Sequence, residues 1–255
     1  MITICITNKR GGVAKTSTAV GLAVNLAGMG YNTLLIDGDS QGNTTLSAGG
    51  SIRSQGLYDV IEGKASINDC LQWLTTNLCL LSNGSSLENL EVGYANKPKR
   101  ERLYKKVLEE VENDFKFAVI DTSPFLGVGA LNALTASQYA IIPVKPELFS
   151  YQGLAGVLSF IENTRKYCNP RLTVAGILET VFDKRQTSTE TFDELIQSKA
   201  KEKGINVFET KIRRSQALVT AQGKADVSIF TSKLYPGRDY GNLAAEFLEV
   251  IRREK

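Results

Sequence analysis

The segment Asn8-Lys9-Arg10-Gly11-Gly12-Val13-Ala14-Lys15-Thr16-Ser17 gathers the residue types that hold a polyphosphate. It follows a short apolar run, Ile2 to Thr7, and precedes a stretch of helical spacing from Lys15 to about Met29. Backbone N–H groups at a helix start point outward, and the helix dipole favours negative charge there. Gly11 and Gly12 let the main chain approach phosphate oxygens closely. Lys15 can reach the β- and γ-phosphates, and the Thr16 hydroxyl can ligate Mg2+. A Gly-Gly pair alone says little. Gly-Gly-x-x-Lys-Thr between a buried strand and a helix is specific for a phosphate-binding loop.

Two further loops carry acids. Leu34-Leu35-Ile36 runs into Asp37-Gly38-Asp39-Ser40-Gln41-Gly42-Asn43-Thr44-Thr45. Carboxylates at i and i+2 beyond a strand end can face one site. Near Mg2+ and a nucleotide, one can bind metal-coordinated water and the other can orient the attacking water. Standing alone, the same pair would read as N-capping acids in a polar turn. The third loop, Asp121-Thr122-Ser123-Pro124-Phe125-Leu126-Gly127, ends the apolar run Phe117 to Ile120. A carboxylate at the end of a buried strand is costly unless it has a partner, and Mg2+-bound water or the Thr16 hydroxyl would supply one.

These loops need a frame that brings them together. Ile2–Thr7, Thr33–Ile36, Phe117–Ile120, Tyr139–Ile142 and Leu172–Thr180 are apolar on both alternating faces, which predicts strands covered on both sides. Helical spacing is expected over Lys15–Met29, Glu101–Glu112, Tyr151–Tyr167, Thr189–Lys203 and Tyr240–Arg253. Strands alternating with helices predict an α/β fold: a single domain, residues 1–255, with a mostly parallel twisted sheet and helices on both faces. Ligands in such sheets bind beyond the carboxyl ends of the strands, so the loops after Thr7, Ile36, Ile120 and Val144 should converge. The polar segment Ser82–Arg100 reads as a surface excursion.

Composition narrows the chemistry. A chain of 255 residues with 42% apolar content can bury a real core. A net charge of +3 does not by itself announce nucleic acid. There is no histidine, and the four cysteines lack paired spacing, so a His/Cys zinc site and histidine base chemistry are excluded. Without a signal-like or membrane-length apolar stretch, a cytoplasmic location is expected.

The first loop differs from the ordinary Walker motif, which has glycine at the position of Ala14, and is closer to the deviant form KGGxxKS/T. With it, Asp37 to Thr45 resembles "DxDPQGNxT" with Ser40 for proline. Asp121 to Pro124 resembles the Walker B "DxPP" segment. Leu131 to Leu154 resembles "LNALxAxDxxxIPVxPExFxxxGL", Thr180 to Arg185 "TxxDxR", and Thr210 to Arg214 "TxIPRN". Nearly end to end, the chain resembles the ParA/Soj partition ATPases of the ParA/MinD superfamily, which have the P-loop NTPase fold.

That resemblance implies ATP/ADP and Mg2+ as cofactors and a nucleotide-sandwich homodimer. It also implies non-specific DNA binding, a ParB-like stimulating partner, no membrane, and a nucleoid-associated place in the cytoplasm. Lys15 would hold phosphate within the Lys9–Ser17 cradle. Thr16, Asp39 and Asp121 would serve the Mg2+ site, with Asp39 orienting the water. Phe182 and Arg213 would stand near the adenine. The cross-dimer signature lysine falls on Arg10, directly after Lys9. Either the arginine substitutes, being bidentate and charged, or cross-dimer catalysis is altered. For DNA, Arg185 matches one family position. The other falls on uncharged Ala217, with Arg213 and Arg214 close by to compensate.

A MinD-like membrane role would call for a basic amphipathic tail, whereas Glu246–Lys255 carries only a stripe that suits packing on the body. An iron–sulfur-bridged dimer would need cysteines in the Asp121–Gly127 loop, and none is there. A metabolic ligase or pump ATPase, and a non-hydrolysing scaffold, share the same loops and remain as rivals.

Overall fold

Apolar runs without polar alternation become strands of one sheet in the computed structural model, which describes residues 1–185 and 187–253. The end of the tail considered above, Glu254 and Lys255, lies outside the described residues. The strands are β1 (Ile2–Ile6), β2 (Thr33–Gly38), β3 (Leu71–Trp73), β4 (Leu78–Leu81), β5 (Phe117–Thr122), β6 (Tyr139–Val144) and β7 (Thr173–Glu179). The first half of the chain contributes helices α1 (Lys15–Gly28), α2 (Asn43–Ser47), α3 (Leu57–Ile61), α4 (Ile67–Cys70), α5 (Asn89–Tyr94) and α6 (Leu103–Glu109). The second half adds α7 (Val128–Ala136), α8 (Leu148–Tyr167), α9 (Thr187–Lys203), α10 (Gln216–Gln222) and α11 (Tyr235–Arg253).

The strand order is β3-β4-β2-β5-β1-β6-β7. Among the described residues only the β3–β4 pair is antiparallel. Within each strand, alternate residues serve opposite cores. Cys5, Leu34, Ile36, Ala118 and Ile120 pack with Tyr104, Leu108, Leu134 and Leu154 on one face. Ile4, Ile6, Leu35, Val119 and Ile141 pack with Leu22, Leu26, Tyr240 and Phe247 on the other. Covered faces explain why no polar alternation marks these strands. Helices α1 and α11 meet closely at Gly21, where a Cβ would stand 2.5 Å from the Tyr240 ring.

Two local expectations change. The edge pair β3–β4 was not anticipated, because three- and four-residue strands are too short to show a period. The Ser82–Arg100 segment is not a plain surface excursion: Ser82, Asn83, Leu87, Leu90 and Tyr94 are buried, and α5 forms within it. Leu87, Leu90 and Tyr94 follow helical spacing, a signal diluted by the serines, glycines and asparagines around them.

The carboxyl ends of the central strands do converge. Thr7 N–H donates to Ile141 O (3.2 Å), and Asn8 Nδ2 donates to Pro143 O (2.7 Å). The β2–β5 register sets Asp37 opposite Asp121. At the end of β7, Thr180 Oγ1 donates to Val13 O (3.0 Å).

Candidate functional site

The loop between β1 and α1 is shaped by its own backbone. Asn8 ties its start to β6, and Asn8 Oδ1 accepts the Arg10 N–H (3.0 Å). Gly12 takes φ 72°, the left-handed region where glycine is at ease. Ala14 also lies there, at φ 58° and ψ 34°. Helix α1 then begins with no capping side chain and no acid in its first turn, so its leading N–H groups have no side-chain partner. Among the described residues, nothing beyond the adjacent residues of the loop stands within 4 Å of where a Cβ would project from Gly11 or Gly12.

The left-handed alanine is a testable source of strain. An L-residue there costs roughly 1–2 kcal/mol, partly offset by the extra freedom glycine has when unfolded. Ala14→Gly is expected to stabilise the protein by about 0.5 kcal/mol in urea unfolding. A loss of stability would show instead that the Ala14 methyl contributes packing larger than the strain.

Lys15 is 7% exposed, and its Nζ donates to Arg10 O (2.9 Å). Burial lowers its pKa, while Asp121 and Asp39 oppose that shift. Asp121 is fully buried. Its Oδ2 accepts the hydroxyls of Thr16 (2.7 Å) and Thr44 (2.5 Å), and its Oδ1 accepts the Thr122 N–H (3.0 Å). Burial raises its pKa to about 6 against the pull of the two threonines and Lys15.

The two acids of the second loop separate in role. Asp37 is fully buried with both oxygens engaged: Oδ1 by Asp39 N–H (3.2 Å), Oδ2 by Thr45 N–H (2.8 Å) and Oγ1 (2.6 Å). Burial lifts its pKa to about 7. It anchors the turn and the start of α2. Asp39 is 7% exposed; its Oδ1 accepts Gln41 N–H (3.1 Å), and it borders a cavity of about 290 Å3 with Gln41, Glu91 and Phe125.

Lys9 and Arg10 run along α8. A Cβ at Gly156 would be 3.2 Å from Lys9 Nζ, and one at Gly153 would be 3.3 Å from Arg10 Cγ. The Arg10 guanidinium carbon lies 5.4 Å from the ring centroid of exposed Phe149.

Phe182, Arg185, Arg213 and Arg214 form a second group past β7, joined to the first loop through Thr180 and Val13. Phe182 is buried, bridges the backbone of Arg213, and has Lys211 Nζ 4.5 Å from its ring centroid. The Arg213 guanidinium forks onto Asp239 (2.5 Å from Nη2 to Oδ1) and lies 4.4 Å from the Tyr235 ring. Arg185 is 87% exposed and paired with Asp183 (2.8 Å), whose carboxyl that guanidinium holds down at about 2. Arg214 and Ala217 are exposed.

The site also contains residues to which the sequence assigned no role. Asn8, Thr44, Thr45 and Thr180 all stand inside the quoted segments, and hydroxyls and amides at strand ends were the available signal. Glu179 had none: it ends β7 fully buried, with Lys211 Nζ 3.1 Å from Oε1, and Lys211 also pairs with Asp193. Burial, reinforced by the neighbouring Asp193 carboxyl and opposed by Lys211, raises its pKa to about 7. A raised acid contributes stability that is complete below about pH 4 and lost as pH rises through about 7. Glutamine has no such titration. Glu179→Gln is therefore expected to gain ~1–3 kcal/mol relative to the parent between about pH 4 and pH 8. A difference flat across that range, in unfolding curves at several pH values, would mean Glu179 is ionised throughout.

Among the described residues no helix is long and apolar enough to cross a membrane. Residues 1–174 match a family model described as an AAA domain. The chromosome-partitioning ATPase Soj of Treponema pallidum is 33% identical over 96% of this chain and 96% of its own length. The chromosome partitioning protein ParA of Caulobacter vibrioides is 31% identical over 99% of this chain and 94% of its own. The sporulation initiation inhibitor protein Soj of Bacillus subtilis is 34% identical over 86% of each. Among solved structures, cobyrinic acid a,c-diamide synthase of Mycobacterium smegmatis with bound ATP analogue and magnesium superposes with TM-score 0.87 at 26% identity, covering 100% of this chain and 97% of that one. A plasmid partition protein of Borrelia burgdorferi bound to AMPPNP shares the fold at TM-score 0.80 and 23% identity, covering 100% and 99%.

Proposed function

The chain belongs to the Soj/ParA family of partitioning ATPases, and from that premise we propose that it binds ATP with Mg2+, pairs with a second copy across the nucleotide, holds DNA non-specifically and hydrolyses ATP to segregate plasmid or chromosomal DNA. The observation that carries the reading is the convergence of Thr16 and Thr44 on buried Asp121, beside Lys15 and Asp39, at an uncapped helix start.

The residues suit the cofactors. The open space over Gly11 and Gly12, the uncapped α1 and the buried Lys15 fit a polyphosphate. Thr16, Asp39 and Asp121 offer hard oxygen donors, the chemistry Mg2+ takes. When bound, Mg2+ supplies charge that polarises the terminal phosphate. Lys15 exchanges the Arg10 carbonyl for phosphate oxygens. Asp121 accepts a hydrogen bond from the Thr16 hydroxyl, which would leave that oxygen's lone pairs free for a metal ion. Asp39 orients the attacking water. Arg10, resting on Phe149, is the cation that reaches toward the partner copy's phosphates, which makes turnover slow until the dimer forms.

DNA contact falls to exposed Arg185 and Arg214, with Arg213 braced by Asp239. Phosphate neutralisation needs charge more than a fixed geometry, so the absence of charge at Ala217 is tolerated. A ParB-like protein accelerates hydrolysis and releases the DNA in the cytoplasm.

The likeness to a diamide synthase favours a second reading, an amide-forming enzyme with a small carboxylated substrate in the cavity beside Asp39. Binding to non-specific duplex DNA with ATP, with ADP and without nucleotide, across a salt series, separates the two. The expected result is binding with ATP alone that weakens steeply with salt, its slope falling by about one on Arg214→Ala. No ATP-dependent binding, together with turnover stimulated by a carboxylated small molecule, would replace the first reading with the second.

A further inference from the structure

The starts of α1 and α7, both beside the site, are treated differently. The N-terminus of α1 has no side-chain cap. That of α7 is closed by Glu91 from α5: Oε2 accepts Val128 N–H (2.7 Å) and Oε1 accepts Gly129 N–H (2.9 Å). Helix α7 has no cap of its own, because Gly127 stands at the N-cap and no acid lies in the first turn. A Cβ at Gly127 would lie 2.2 Å from Glu91 Oε2, so a side chain there would displace the carboxylate.

The clamp bears on the reaction through the loop it ends. Residues 123–127 connect the strand bearing Asp121 to α7, with Phe125 63% exposed and only a weak Ser123–Phe125 turn inside (3.3 Å). Asp121 secures one end of the loop and the first turn of α7 secures the other. One turn further, Asn132 joins α7 to α6, accepting Leu103 N–H (2.7 Å) and donating to Arg100 O (2.6 Å). Glu91, Pro124, Phe125 and Asp39 line the same cavity of about 290 Å3.

We propose that Glu91 is a positioning residue for hydrolysis: by clamping the first turn of α7 it sets where the 123–127 loop stands relative to Asp39 and Asp121. This rests on the ATPase reading above. A two-pronged carboxylate fixes both position and rotation of the helix start, and misplacement of about 1 Å near a reacting centre costs up to ~100-fold in rate.

Glu91→Gln keeps the side chain's size but loses one acceptor and the charge; Glu91→Ala removes both prongs. Backbone hydrogen exchange over 122–131, ATP turnover, and affinity for a non-hydrolysable ATP analogue are measured on the full chain and on each variant. The expectation is exchange at Val128 and Gly129 faster by about tenfold, turnover lower by about tenfold, and analogue affinity within about threefold. Faster exchange with parental turnover would overturn the proposal and leave Glu91 a helix cap. Unchanged exchange would overturn the clamp itself. An affinity loss as large as the turnover loss would place Glu91 in binding instead. Absence of turnover in the parent would remove the ATPase reading before any variant is compared.

Discussion

Lys15→Ala is expected to abolish ATP turnover and to weaken nucleotide binding severely. Lys15 is nearly buried, and its ammonium faces a site that also holds Asp121 and Asp39. Among the described residues its ammonium donates to the Arg10 carbonyl, a neutral acceptor that a phosphate oxygen readily replaces. A charged donor in a water-poor site contributes far more toward developing phosphate charge than it does in water. Loss of kcat/KM by at least ~1000-fold is the expected size, with fluorescent-nucleotide affinity falling in parallel. The fold should survive, because removing a partly desolvated lysine also removes the cost of burying it. Circular dichroism and a urea melt report on that separately. Turnover near the parental value would sink the phosphate role of Lys15 and, with it, the assignment of the loop.

Asp39→Ala tests the other half of the chemistry. Asp37 already uses both oxygens on Asp39 N–H and Thr45, whereas among the described residues Asp39 Oδ1 receives only the Gln41 N–H. Asp39 is therefore the acid of that loop with capacity left to orient water. Its removal is expected to cut turnover by ~100-fold or more while ATP binding stays within a few-fold. A dimer formed with ATP should then persist, visible as a stable larger species in size-exclusion chromatography. Hydrolysis at the parental rate would exclude Asp39 as the water-orienting group. Loss of ATP binding equal to the loss of turnover would instead assign it to holding the metal.

The α/β class and the places of the central strands could be read from the chain because a parallel sheet covered on both faces demands uninterrupted apolar runs. The edge pair β3–β4 could not, since its strands are too brief to carry a period. The phosphate-loop residues could be nominated because Asn8 to Ser17 is contiguous and sits at a strand-to-helix junction. Local logic of that kind reaches no further than a loop. It offered Asp37 and Asp39 as an interchangeable pair, and only the packing of α2 against β2 showed Asp37 committed to Thr45.

By itself, then, the sequence determined the fold class and the family and nominated the loop residues, because these depend on residue type and on spacing along the chain. Contacts between distant segments were decided by the tertiary structure alone. Asp121 meets Thr16 across 105 residues and Thr44 across 77, a closeness set by strand order and register. Glu91, one acid in a polar stretch, gains its place only because α5 folds against the first turn of α7. Glu179 is pushed toward neutrality only because the end of β7 is buried in the fold beside Asp193, against the pull of Lys211. Hydrogen bonding and desolvation act through space, so residues with no pattern in sequence acquire their chemistry from where the chain returns to meet them.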